Sequence, residues 1–237
     1  MDKQELVSEI LRLKKIDLTK QKLLLPPENI RELAAGHHRQ PRSLKNALLE
    51  NSGSLKVIGC IQKYSCNAEK QTPETGNFDF LQQARDWEEK KAAAVAVVTE
   101  KHFYGGAPSM LTGITHLIKL PVIRWDFIVD EYEVFQSKLW GADVVKINAA
   151  LLDQLELAQI LRSADALDLE CIVQVKDRTE LFRLQEFKEL ITALFIEENN
   201  IDWIGEIAAG YPAILLPADL CPAENIPDNV QGVINWN

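Results

Sequence analysis

Residues 120–152 read LPVIRWDFIVDEYEVFQSKLWGADVVKINAALL. Two short apolar runs, Pro121 to Trp125 and Val144 to Asn148, are rich in β-branched residues and bounded by turn or polar residues. That composition suits buried parallel strands. Between them Tyr132, Phe135 and Leu139 recur at helical spacing, so one face of a helix can pack on the sheet, and Gly141 marks the turn into the second strand. The stretch is a strand, helix, strand unit of about 30 residues.

The same rhythm extends both ways along the chain. Apolar runs fall at Val57 to Ile61, Ala94 to Val98, Pro121 to Trp125, Val144 to Asn148, Cys171 to Val175, Ala193 to Ile196, Ala213 to Leu216 and Val230 to Ile234. Most are separated by a helix-length segment, which predicts an α/β fold of parallel strands with right-handed crossovers. Eight strands of this kind close a TIM (β/α)8 barrel of about 250 residues with a floor near 200, and the chain has 237. A doubly wound open sheet is the alternative, but no GxGxxG or GxxxxGK follows any run, so nucleotide binding has no support. Only Asp202 to Gly210 is free for a helix between the sixth and seventh runs, and the segment CPAENIPDN before the eighth contains two prolines. The last two βα units therefore read as shortened or incomplete.

Upstream, Gln4 to Lys22 has helical periodicity. Leu6, Ile10, Leu11, Leu13 and Ile16 form the expected apolar stripe, with Lys14, Lys15 and Lys20 turned to water. The expected organisation is one domain over residues 1–237, with a helical extension in 1–50 and the barrel in 55–237.

Composition narrows the function classes. The chain is 46% hydrophobic and 26% charged with a formal charge of −9, an ordinary soluble composition that disfavours a general nucleic-acid surface. Arg31 to Lys45 is the one local basic stretch, read as a solvated helix end and turn. No apolar run approaches the ~18 residues of a membrane span and the N-terminus lacks an apolar signal region, so the expected location is cytoplasmic, away from membranes. The four cysteines, Cys60, Cys66, Cys171 and Cys221, lack CxxC spacing, so no metal site or disulfide framework is expected. His102 and His116 read equally as surface or catalytic residues.

These segments carry a family resemblance. RWDFIVDEY followed by WGADVV resembles the third and fourth βα units of indole-3-glycerol phosphate synthase, a TIM-barrel lyase of tryptophan biosynthesis, and VIGCIQKYS resembles that family's VIAEIKKAS. Thr99, Glu100, Gly105 and Gly106 match the second unit, and Phe103 and Tyr104 supply the aromatic that in the family packs on the substrate ring. The Pro41 to Leu48 segment is similar to the family's N-terminal extension, which lies across the barrel mouth. Lys63 and Ser65 match, and the resemblance makes Ser65 a phosphate contact in the loop after the first strand.

The resemblance also marks departures. Cys60 stands at a family glutamate, Gln62 at a lysine, Trp125 at the general-acid lysine, Gln174 at the general-base glutamate, and Glu197 at the asparagine of INNR. Pro217, Ala218 and Asp219 occupy the places of a Glu-Ser-Gly motif, and the final phosphate turn is reduced to at most Asn235 and Trp236. The family's ring closure uses proton transfers and no cofactor, so it needs an acid and a carboxylate base. Tryptophan and glutamine ionise as neither. The leading expectation is a degenerate homologue acting as a binding or regulatory pseudoenzyme, without a tightly bound phosphate ester and with a protein partner or a second copy. The alternative is an active carboxy-lyase using other residues, with Lys63, Tyr104 and Lys146 as pocket candidates and Asp126 or Glu197 as acid or base. Lys146 is unusual as a lysine inside a barrel strand, although outward exposure or snorkelling is the commoner arrangement.

Overall fold

The computed structural model describes residues 2–50, 56–67, 70–73, 78–196, 211, 213–217 and 232–235. Three N-terminal helices, α1 (Lys3–Leu24), α2 (Pro27–Ala35) and α3 (Leu44–Leu49), precede β1 (Lys56–Ile61) and a ribbon of β2 (Tyr64–Asn67) and β3 (Lys70–Pro73). Then follow α4 (Phe80–Glu89), β4 (Ala94–Val98), α5 (Pro108–Leu117), β5 (Val122–Trp125), α6 (Glu131–Leu139) and β6 (Val144–Asn148). The chain continues through α7 (Gln154–Asp165), β7 (Glu170–Val175), the short α8 (Arg178–Phe182), β8 (Ala193–Ile196), β9 (Ile214–Pro217) and β10 (Gly232–Asn235).

Eight of these strands form a closed parallel barrel in the order β1, β4, β5, β6, β7, β8, β9, β10, and β10 returns to pair with β1. The eight apolar runs become these strands with small shifts at their ends. The barrel is thus closed, and the expectation of shortened connections falls on residues 197–210 and 218–231, outside the described residues. The β2–β3 ribbon, antiparallel with Ser65 opposite Thr72, has no apolar alternation to announce it.

Strand alternation sorts the core into an interior and an exterior layer. Ile58, Ala94, Ala96, Ile123, Val144 and Ile172 pack together inside the barrel, the alanines of β4 leaving room for their larger neighbours. The alternate residues, Val95, Val97, Val145 and Val173 among them, face the helices. The α6–β6 turn ends as its sequence predicts: Gly141 takes φ 85, and the N–H groups of Gly141 and Ala142 donate to the carbonyls of Lys138 and Ser137 at 3.1 and 2.9 Å.

The N-terminal extension does more than cross the mouth. Helix α1 begins with a capping box in which Asp2 and Glu5 exchange side-chain and backbone bonds. It then runs along the rim past the loops after β4 and β5. At the opposite end α3 plugs the barrel: Leu44 and Leu48 are buried against its interior layer, and Glu170 at the start of β7 accepts from Ser43 Oγ at 2.7 Å and Leu44 N–H at 2.6 Å. The helical stripe is also rotated from expectation. Ile16 is 42% exposed, while Leu6, Ile10 and Leu18 are buried. Lys14, on the same i, i+4 line as Ile10 and Leu18, turns inward instead of to water.

Asp143, fully buried before β6, ties the extension to the sheet. Its carboxylate accepts from Arg39 Nη2 and Arg42 N–H at 2.7 Å each and from Val122 N–H at 2.8 Å. Removing one member of a buried charged network leaves the others unpaired and costs about 3 kcal/mol. Asp143→Ala is expected to lower the unfolding free energy by that amount, read as a lower urea midpoint at an unchanged slope; a change within about 0.5 kcal/mol would show that the anchor contributes little.

Candidate functional site in the barrel mouth

In this architecture the working end is the C-terminal edge of the strands. There β1 presents Cys60, β5 Trp125, β7 Gln174 and β8 Phe195 to the interior, all buried. Trp125 and Phe195 meet edge to face, with ring centroids 5.5 Å apart. Such a contact adds to the burial of two large side chains and holds the indole in the interior.

Lys146 shares the inward parity of Val144 on β6, and the residue is only 5% exposed. Its ammonium lies 5.2 Å from the Trp125 ring centroid and 5.7 Å from that of Phe127. The outward or snorkelling arrangement is therefore overturned. A cation among aromatic faces keeps part of the attraction it loses on leaving water.

The loop after β4 is built by Glu100, whose carboxylate accepts from the backbone N–H groups of His102, Phe103 and Tyr104 at 2.8, 2.8 and 3.0 Å. This folds Tyr104 against the interior layer, and its carbonyl accepts from Tyr64 N–H at 3.1 Å. Gly106 is required there because a Cβ would stand 2.3 Å from the Val98 carbonyl oxygen. Lys63 follows β1 with its ammonium 5.2 Å from the Tyr64 ring centroid. Gln62 is half-buried at the end of β1, and Ser65 lies on β2 of the ribbon rather than in a loop. Glu197 lies outside the described residues.

The other candidates are engaged elsewhere. His116 is exposed on α5, and His102 Nε2 is 2.7 Å from Asp17 Oδ2 on α1. Cys171 faces the helical layer, where burial pushes its thiol well above the ordinary range. Asp126, at the end of β5, belongs to a buried charge cluster. It accepts from Lys14 Nζ at 2.9 Å, Thr99 Oγ1 at 2.7 Å and Arg124 Nη2 at 3.0 Å. Lys14 also pairs with Glu133 at 2.7 Å, and Arg124 donates to the Glu133 carbonyl at 2.8 Å and stacks 4.5 Å from the Trp140 ring centroid.

Burial alone would raise the Asp126 carboxyl, but Lys14 and Arg124 together with the Thr99 hydrogen bond hold it far below the usual carboxylate range. Burial likewise opposes the Lys14 ammonium, and the Asp126 and Glu133 carboxylates outweigh it and raise its pKa. A carboxylate so firmly ionised is a poor proton acceptor near neutrality. The cluster is a strut between α1, β5 and α6.

The strut has a definite pH signature. Asp126, with its pKa depressed on folding, contributes stability present above its unfolded value of about 3.9 and lost as pH falls toward the lower folded value. Lys14, with its pKa raised, contributes stability present below about 10.4 and lost as pH rises through the folded value. Lys14→Met is expected to destabilise by about 3 kcal/mol. The difference from wild type in denaturant unfolding should stay flat from about pH 6 to pH 9; a difference that vanishes near neutrality would contradict the assignment.

Comparison with known proteins agrees with the motifs in this mouth. The family model described as indole-3-glycerol phosphate synthase matches residues 7–195. The indole-3-glycerol phosphate synthase of Campylobacter jejuni subsp. doylei is 33% identical over 180 residues, covering 74% of this chain and 67% of that protein. The synthase of Neisseria meningitidis serogroup B is 30% identical over 218 residues, covering 90% and 80%. Among solved structures, monomers of the phosphoribosylanthranilate isomerase of Thermotoga maritima superpose with a TM-score of 0.51 at 12% identity, over 77% of this chain and 87% of that one, a likeness of fold alone. No helix among the described residues is long and apolar enough to cross a membrane. The chain belongs to the indole-3-glycerol phosphate synthase family.

Proposed function

We propose that this family member is a binding or regulatory protein that does not close the indole ring by the family's proton transfers. The observation that carries the reading is the pair Trp125 and Gln174. The resemblance places the general acid and the general base at these positions, and both side chains are buried in the barrel. Trp125 is held by its edge-on contact with Phe195. Neither side chain exchanges a proton usefully near neutrality. Each lost acid or base is worth about 10² to 10⁴ in rate, and the two act as a unit, so the losses need not multiply. In this reading the barrel is retained as a scaffold for a protein partner or a second copy of the chain.

A second reading has its own support. Lys146 places an ammonium in the barrel interior beside the indole that stands at the acid's position. From there it could deliver a proton to a substrate in the mouth, giving an indole-3-glycerol phosphate synthase-type lyase with a displaced acid.

Incubation with carboxyphenylamino-deoxyribulose phosphate, followed by indole fluorescence, separates the two. The proposal expects no turnover above the protein-free blank, for the wild type and for Lys146→Met alike. Turnover abolished by Lys146→Met, or by Lys63→Ala, would establish the second reading and end the first.

A further inference from the structure

The N-terminal end of the barrel, opposite the mouth, carries an open groove of about 700 Å³ between α3, the start of β1 and the turns into β4 and β5. Its charged lining is Arg42, Lys56, Lys90, Lys91 and Lys119 against a single carboxylate, Glu50. The whole chain has 35 acidic and 26 basic residues, so the groove runs against the overall balance.

Part of this charge is already engaged. Arg42 donates to the carbonyls of Leu120 and Thr115 at 2.6 Å each, and the Lys90 ammonium lies 5.0 Å from the Trp87 ring centroid. Glu88 stands at the edge, its carboxylate accepting the Lys119 N–H at 2.6 Å. The ammonium groups of Lys56, Lys91 and Lys119, by contrast, make no ion pair or hydrogen bond with the described residues. Among the described residues, three ammonium groups without a counter-charge thus border one concavity, an arrangement that favours an anion.

Lys91 adds an independent sign. Helix α4 ends as α6 does: the N–H groups of Lys91 and Ala92 donate to the carbonyls of Glu88 and Trp87, each at 3.0 Å. In α6 the left-handed residue of this motif is Gly141, whereas in α4 it is Lys91 at φ 59. A side chain there incurs a conformational cost that glycine avoids. The chain nevertheless places a cation at this point of the groove rim.

We propose that the groove binds a small polyanion carrying two or more phosphate groups. Its volume falls within the roughly 300–1,000 Å³ of small-molecule sites. Lysine ammonium groups act as point charges toward phosphate oxygens, which suits a ligand whose charge is spread over several groups. A surface made only to dock an acidic protein would have no need of the concavity. The site lies at the end of the barrel away from the mouth and is independent of what the mouth does.

Isothermal titration calorimetry with tripolyphosphate, inorganic sulfate and octaglutamate as probes tests this. Tripolyphosphate is expected to bind at one site, at least about tenfold tighter than sulfate or octaglutamate, and to weaken as salt screens the groove. Lys56→Gln/Lys119→Gln should weaken it by about tenfold or more. Lys91→Gly should weaken it several-fold while the melting temperature holds or rises, which separates lost charge from lost fold. Absence of binding, or binding unchanged in both variants, would overturn the proposal. Octaglutamate binding as tightly as tripolyphosphate would also overturn it, in favour of an acidic protein surface.

Discussion

A closed parallel barrel fills its interior with the alternate side chains of its own strands, and this constraint governs the rest of the molecule. Once β1 pairs with both β4 and β10, parity decides that Cys60, Trp125, Lys146 and Gln174 point inward. No loop rearrangement can turn them out. The chemistry available at the mouth therefore follows from which residue types occupy a few inward positions. Among the described residues they include a thiol, an indole, an amide and an ammonium, with Phe195 against the indole and Tyr104 against the interior layer.

The same constraint explains where charge has been allowed. Asp126, Arg124 and Glu133 are buried, but between the sheet and α6 rather than inside the barrel, and each is joined to the others or to Lys14. Burying such groups is tolerable because every charge has a partner in good geometry. The N-terminal extension thereby gains a fixed place: Lys14 and Asp17 hold α1 to the mouth rim. Asp143 and Glu170 hold the segment leading into α3 to the opposite end. Helix α1 in this way shapes the rim of the mouth.

Much of this was legible in the sequence. The eight apolar runs, the helix between Trp125 and Val144 and the Gly141 turn follow from periodicity and turn chemistry, which are local properties. What escaped depends on contacts distant in sequence. The charge of Lys14 points to solvent, whereas the spacing Leu6, Ile10, Lys14, Leu18 places it on the buried line; its partners lie more than a hundred residues away. The inward turn of Lys146 was readable from parity with Val144 but conflicted with the ordinary preference of lysine for water. The β2–β3 ribbon has no apolar alternation, and the basic groove assembles residues from four separate segments, so neither leaves a local trace.

Our central proposal is that Trp125 and Gln174, at the positions where the resemblance puts the acid and the base, leave the mouth without the proton transfers that ring closure needs. Single-turnover mixing of carboxyphenylamino-deoxyribulose phosphate with a molar excess of the protein, read by mass spectrometry, addresses this without dependence on product release. The account predicts that the substrate mass persists unchanged over hours. A product lighter by carbon dioxide and water, formed faster than in buffer, would contradict it.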